Sequence, residues 1–143
     1  MGKIVGYAAR YDKPSVDMGF VETIAPGAFD RVLQTKPDVV ILYNHDMNQF
    51  LGRTASRTAS VFTDNLGLAY ACNLPDTQVG RDVYELVSRG DLTGSSFSFT
   101  VSADEWDMAS NGKLTRRILD VKSLTDCSPV IAPAYPSTSV GID

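Results

Sequence analysis

Residues 97–121 read FSFTVSADEWDMASNGKLTRRILDV, and this stretch decides the fold. Apolar and polar side chains alternate from Phe97 to Trp106, and an alternation with a period of two is typical of a half-buried β-strand. The segment SNGK at 110–113 has the composition of a turn, and LTRRILDV at 114–121 returns as a partner strand. The sequence therefore predicts a long antiparallel hairpin.

The remaining elements follow from the same periodicities. We expect further strands at 6–10, 19–25, 38–44, 58–63, 67–74 and 123–132. A short helix is expected to begin at Pro26 and to end at Pro37, and a second one to run from the N-cap Thr77 to Gly90. About seven strands and two or more helices predict an α+β, mostly antiparallel fold whose sheet curls into a β-barrel, since few helices are available to cover two sheet faces.

Length and composition restrict the class of protein. The 143 residues fit one domain spanning 1–143, with 43% hydrophobic and 21% charged residues. A net charge of −4 and scattered Lys and Arg argue against a nucleic-acid partner. No apolar run approaches the roughly 20 residues that cross a bilayer, and the first residues lack the apolar stretch of a signal peptide. We expect a cytosolic protein with no membrane partner.

The cysteine and histidine content excludes several kinds of site. Cys72 and Cys127 are far apart and form no C-x-x-C pair, so we expect buried thiols rather than a zinc or redox motif. His45 is the only histidine, and one imidazole cannot supply the two or three ligands of a histidine-based metal site. The sequence implies no cofactor.

His45 and Ser96 are the candidate catalytic pair. His45 lies in the segment YNHD, directly after a predicted buried strand that can hold its ring rigidly. Ser96 lies in GDLTGSSFSF, residues 90–99, where the chain leaves a helix and turns at Gly94 into an alternating strand. A serine hydroxyl needs a base to become a nucleophile, and an imidazole, which titrates near neutral pH, suits that task. A structural histidine and a solvated serine face are the competing interpretations.

Asp126 is the candidate third member of this site. It lies within the otherwise apolar segment 123–132, where a carboxylate needs a partner. It could orient His45 and stabilise the imidazolium, as in a Ser-His-Asp triad, or it could be an ordinary edge-strand carboxylate. Along the preceding strand, Ser96 and Ser98 share the polar face, while the phenylalanines between and after them share the face that would anchor the strand in the core.

Five segments, in their order along the chain, resemble the prohead (procapsid maturation) serine proteases of tailed bacteriophages, of the Hong Kong 97 type. They are ETIAPGAF at 22–29, YNHD followed by LGR at 43–53, GLAYACNLPDT at 67–77, GSSFSF at 94–99, and LTDCSPVIAPAYPST at 124–138. The motifs GAF, NHD and PAYP are the most distinctive of them.

This resemblance implies a serine endopeptidase with a fold like that of herpesvirus assemblin. The family cleaves extensions of its partners, the scaffold protein and the major capsid protein, and the enzyme is expected to cleave itself. The resemblance places this activity in the bacterial host cytoplasm, within the assembling procapsid, or in the cytoplasm when the protein is expressed from a prophage. Analogy with the herpesvirus enzymes also suggests a homo-oligomer.

The resemblance assigns the nucleophile to Ser96, the base to His45 and the third position to Asp126, with Ser95 as the alternative register for the nucleophile. Two positions depart from the family pattern: Ser98 stands where glycine is common, and Asp126 replaces the usual glutamate. The herpesvirus enzymes use a second histidine as third member, and this chain has none. An acid must therefore serve, or the site is a Ser-His dyad.

Two other classes of function compete with the protease. One is a catalytically silent assembly module that binds scaffold or capsid protein through the same fold. The other is a cysteine hydrolase in which Cys127 or Cys72 is the nucleophile. Among the arginines, Arg53 of the LGR motif is a candidate electrostatic contributor. At most one of Arg116 and Arg117 can reach the site, because neighbours in a strand face opposite sides.

Overall fold

The computed structural model describes residues 2–143 and contains two β-sheets and two helices, which confirms the predicted α+β class. In chain order the elements are β1 (Lys3–Arg10), β2 (Val21–Ile24), α1 (Asp30–Gln34), β3 (Val40–Tyr43), β4 (Asp46–Arg53), β5 (Ala59–Thr63), β6 (Gly67–Asn73), α2 (Gln78–Ser88), β7 (Gly94–Met108), β8 (Leu114–Val130) and β9 (Ser139–Ile142). In the described part of the chain, neither helix is long and apolar enough to span a bilayer.

β8 is the central strand of the larger sheet. β7 pairs with one edge of β8 in antiparallel orientation along its whole length. On the other edge, β2 pairs in parallel with residues 115–118 and β3 pairs in parallel at Asp126. β4 continues this sheet beyond β3, while the smaller sheet has the order β5-β6-β1-β9. The Val140 amide of β9 in the smaller sheet donates to the carbonyl of Thr93, the residue before β7, at 2.9 Å. Among residues 2–143, the strand pairings do not close into the predicted barrel.

The long hairpin of β7 and β8 is present, but its second arm is longer than predicted. β8 is one strand of 17 residues, where the sequence indicated one strand at 114–121 and another at 123–132. Several β-bulges interrupt its pairing with β7, one of them between Ser98 and Phe99. Bulges leave a residue unpaired and bend the strand. The alternation of apolar and polar residues is therefore interrupted within β8, and the sequence pattern resembles that of two separate strands.

Other boundaries also differ from the sequence prediction. β4 and β9 were not predicted, because β4 (DMNQFLGR) is an edge strand without regular alternation and β9 has only four residues after a proline-rich loop. α1 begins at Asp30, because residues 26–29 form turns and Gly27 has φ +86. α2 has the predicted ends: Thr77 caps the Gly80 amide at 3.2 Å, and Gly90 follows at φ +84.

The GAF and PAYP motifs meet in the core around Phe97. The Phe97 ring lies 5.5 Å from Phe29 of GAF, 6.1 Å from Tyr135 of PAYP and 4.3 Å from Phe99. Aromatic rings at such distances attract one another beyond the gain from burial. These contacts hold one face of β7 in the core, as the sequence predicted, and leave the serine face directed away from it.

The glutamate of ETIAPGAF is part of a buried polar network rather than of the site. Glu22 is 4% exposed, lies 3.0 Å from the Arg116 guanidinium and accepts a hydrogen bond from the Tyr135 hydroxyl. Burial and the neighbouring Glu22 raise the pKa of Tyr135, so its hydroxyl remains a donor. A buried charge needs such partners, and the network joins β2 to β8 and to the PAYP loop.

Candidate active site

His45 occupies a two-residue turn between β3 and β4. Asn44 and His45 have φ values of +55 and +59, which a type I′ hairpin turn requires and which both residue types tolerate better than most. The Asn44 amide donates to the Pro129 carbonyl at 3.0 Å, and its Oδ1 accepts from the Ile131 amide at 3.0 Å. The position of the ring is thus set by β8, the strand that carries Asp126.

The structure brings His45 and Asp126 together. Nδ1 of His45 lies 2.6 Å from Oδ1 of Asp126, and Ser128 donates to the same oxygen at 2.6 Å. Asp126 is 6% exposed, whereas the His45 side chain is 34% exposed. A carboxylate on Nδ1 leaves Nε2 free to accept a proton, which is the geometry of a serine-protease base.

The Asp126 carboxylate stays ionised although it is buried. Burial on its own would raise its pKa, because desolvation disfavours the charged form. Hydrogen bonds from His45, Ser128 and Ser98 outweigh that effect, so the pKa of Asp126 lies below its usual range. The site therefore provides a fixed negative charge beside the imidazole at neutral pH.

Ser96 lies on the same side of β7 as Ser98 and directly opposite Ser128 in the β7–β8 register. In the described residues, Ser96 forms no side-chain hydrogen bond with His45, and the ring contacts the Ser98 hydroxyl, which lies 3.3 Å from Nδ1. The bond between nucleophile and base that a triad predicts is thus not formed in this structure. Such bonds are often long without substrate and tighten in the reacting complex.

Ser95, the alternative nucleophile, faces the core. It is fully buried, and its hydroxyl bonds to the Tyr70 hydroxyl at 2.7 Å and to the Ser139 carbonyl at 2.8 Å. Its amide donates to Thr138 Oγ1 at 3.0 Å. A substrate carbonyl cannot reach this group without displacing the core, so the geometry favours Ser96, which is partly exposed.

The glycine before the two serines is required by the PAYP loop. A Cβ at Gly94 would lie 2.7 Å from Cγ of Pro133, closer than side-chain carbons approach. Residues 94, 96 and 98 share one side of the strand, so Pro133 packs on the serine face of β7 beside Ser96. Pro133 and His45 thus flank Ser96 from the two ends of this stretch of β7.

We expect Gly94→Ala to lower kcat/KM by about 100-fold, because displacing the Pro133 loop moves Ser96 and a misplacement of about 1 Å can cost that much. Kinetics on a peptide substrate, together with urea unfolding, measures this. Gly141→Ala is the matched control, since a Cβ there meets no atom within 4 Å. Equal activities of the two variants would contradict the packing argument.

Asn44 supplies a second prediction, concerning the turn. Asn44→Gly keeps the positive φ but removes the acceptor of the Ile131 amide, so we expect kcat/KM to fall about tenfold with little loss of stability. Asn44→Asp retains an oxygen at that position and should keep most of the activity. A larger loss of kcat/KM in Asn44→Asp than in Asn44→Gly would contradict a role for the hydrogen bond between the Ile131 amide and residue 44.

The other candidate residues lie outside the site. Cys72 and Cys127 are buried free thiols, as predicted; burial raises the pKa of Cys72 to about 12 and also raises that of Cys127. Neither can act as an accessible thiolate nucleophile. The three arginines each pair with an acid away from His45: Arg53 with Asp38, Arg116 with Glu22 and Asp104, and Arg117 with Asp12.

Three residues of the site were not predicted: Asn44, Ser98 and Ser128. Asn followed by a residue that tolerates positive φ is a hairpin signal, but it is informative only once β4 is recognised as a strand. Ser128 shows the i, i+2 spacing from Asp126 that places both on one side of β8. The contact of Ser98 depends on strand register, which the sequence pattern does not specify.

In a comparison with protein-family models, a family model covers the whole chain. The model of the family described as caudovirus prohead serine protease matches residues 1–143. No curated protein matches the chain in sequence. The match confirms the prohead serine protease family identified from the sequence motifs, while the Hong Kong 97 type stays a prediction.

Proposed function

Because the chain belongs to the caudovirus prohead serine protease family, we propose that it is an endopeptidase of capsid maturation that cleaves scaffold or capsid-protein extensions inside the procapsid. The observation that carries the proposal is the 2.6 Å contact between His45 Nδ1 and the buried, ionised Asp126, on the side of the sheet that presents Ser96. A structural histidine on the surface has no need of a buried carboxylate held by further donors.

The chemistry follows from this arrangement. Ser96 Oγ attacks the scissile carbonyl carbon while Nε2 of His45 takes its proton, and Asp126 stabilises the imidazolium. The imidazolium then protonates the leaving amine, the acyl-enzyme forms, and water attacks it with His45 again as base. The developing oxyanion needs backbone N–H donors close to Ser96.

A serine-directed fluorophosphonate tests the proposal directly. We expect one covalent adduct, mapped by mass spectrometry to Ser96, and a strongly reduced rate of labelling in His45→Ala. An adduct on another residue would overturn the assignment of the nucleophile. A silent assembly module, the alternative function, would bind scaffold or capsid protein but would remain unlabelled.

The proposal extends to self-cleavage and to a fold of the assemblin type, both of which the resemblance implies. Mixing the wild-type enzyme with an excess of the inactive Ser96→Ala chain tests self-cleavage between molecules. Truncation of the inactive chain, detected by intact mass, would support it. An intact chain after complete processing of a capsid-protein substrate would contradict it.

A further inference from the structure

Ser98 is a polar side chain that lies against the base of the proposed triad and that the mechanism does not use. Its Oγ lies 3.3 Å from His45 Nδ1, and the residue stands directly opposite Asp126 in the β7–β8 register. Resting on the proposed function, we propose that Ser98 is a positioning residue: its hydroxyl holds the Asp126 carboxylate against Nδ1, and the two side chains form a size-matched pair.

Hydrogen-bond direction gives Ser98 a defined effect on the ring. At 2.6 Å from a carboxylate oxygen, Nδ1 must carry the proton, because two lone pairs would otherwise face each other. The Ser98 hydroxyl then cannot donate to Nδ1, and in the proposed role it donates to the Asp126 carboxylate, an interaction that also helps to lower the pKa of Asp126. The Asp126 carboxylate and the Ser98 hydroxyl therefore both favour the tautomer in which Nδ1 carries the proton and Nε2 is free to act as a base.

The size argument rests on what encloses Asp126. Residues directly opposite in an antiparallel pair have Cβ atoms about 4.5–5.5 Å apart, so the Ser98 hydroxyl and the Asp126 carboxylate fill the gap between them. On the other side Asp126 contacts Ser128, which is fully buried and cannot yield space. A glutamate at 126 is one methylene longer and fits only if the hydroxyl opposite is removed.

Removing the hydroxyl tests the positioning role. In Ser98→Ala we expect kcat to fall about tenfold to 100-fold with KM unchanged, because a lost hydrogen bond to a charged group affects the base and not substrate binding. The matched control is Thr100→Ala, which removes a hydroxyl from the same side of β7, where it bonds Ser123 rather than His45. We expect the control to retain the kcat of the wild type.

A spectroscopic measurement tests the same point without catalysis. His45 is the only histidine, so its two ring nitrogens give one unambiguous pair of ¹⁵N signals. We expect the neutral ring to carry its proton on Nδ1 in the wild type and to show a mixture of tautomers in Ser98→Ala. An unchanged tautomer together with an unchanged kcat would overturn the proposal. An inactive wild type with the expected tautomers would overturn only the proposed function.

A double-mutant cycle tests the size match. We expect Asp126→Glu to lose about 100-fold in kcat/KM and the double variant Ser98→Gly/Asp126→Glu to recover at least tenfold of that loss. A double variant no more active than Asp126→Glu would refute the size match. If Asp126→Glu fails to fold, Ser98→Thr, which adds a methyl group beside the unchanged carboxylate, should show the same loss.

Discussion

We expect Ser96→Ala to abolish peptide cleavage while the protein remains folded, with a loss in kcat on the order of 10⁶-fold. In the proposed mechanism this hydroxyl forms the covalent intermediate, and neither neighbouring serine of the strand can replace it, since Ser95 is buried and Ser98 lies at the Nδ1 end of the ring. His45→Ala should lose about as much, and the double variant no more, because residues that act as one unit are not additive. Steady-state kinetics with urea unfolding of each variant gives both quantities.

Ser95→Ala is the informative neighbour in this experiment. It removes bonds to Tyr70 and Ser139 in the core, so we expect it to lower the free energy of unfolding by about 1–3 kcal/mol and to keep the chemistry. We therefore expect Ser96→Ala to lower kcat without changing stability, and Ser95→Ala to lower stability without changing kcat. Full activity in Ser96→Ala, or a stable and inactive Ser95→Ala, would reverse the assignment.

Asp126→Asn has the second largest expected effect, a loss of about 10⁴-fold in kcat. An asparagine retains the shape of the carboxylate, but it can donate to Nδ1, which then places the ring proton on Nε2 and removes the base. The same ¹⁵N signals of His45 should report this change of tautomer. A loss of less than about tenfold would indicate that the site works as a Ser-His dyad.

The lowered pKa of Asp126 also predicts how stability depends on pH. A carboxyl with a pKa lowered in the folded state contributes stability above its unfolded pKa of about 3.9, and this contribution is lost as the pH falls through the folded value. The excess stability of the wild type over Asp126→Asn should therefore be present at pH 7 and shrink below about pH 4. Urea unfolding of both proteins at pH 7, 5 and 3 measures it, and a constant difference would contradict the role of the charge.

Much of the fold could be predicted from the sequence because its patterns are local. The α2 helix has a side-chain cap at its start and a glycine at its end, and the β7–β8 hairpin alternates regularly around its turn. β4 was missed because its pairing with β3 is irregular, with register shifts on both sides of Leu42. No sequence period survives such shifts.

The site was only partly predictable for the same reason. Met108 lies opposite Leu114, so an uninterrupted hairpin would place Leu124 opposite Ser98. The bulges shift the register by two residues and bring Asp126 to that position instead. A shift of two residues preserves the face on which each side chain lies. The sequence pattern therefore predicts the faces of β7 correctly but does not predict that Asp126 lies opposite Ser98.

The bonds that residues 135–142 make to the strand of Ser96 have a consequence for the order of events during synthesis. Tyr135 packs on Phe97, Thr138 and Ser139 bond to Ser95, and β9 pairs with β1 from the opposite end of the chain. While residues 135–142 are still inside the ribosome, the chain lacks the contacts that hold the strand of Ser96 in place. For the proposed protease we therefore expect activity to appear only after this segment has been translated.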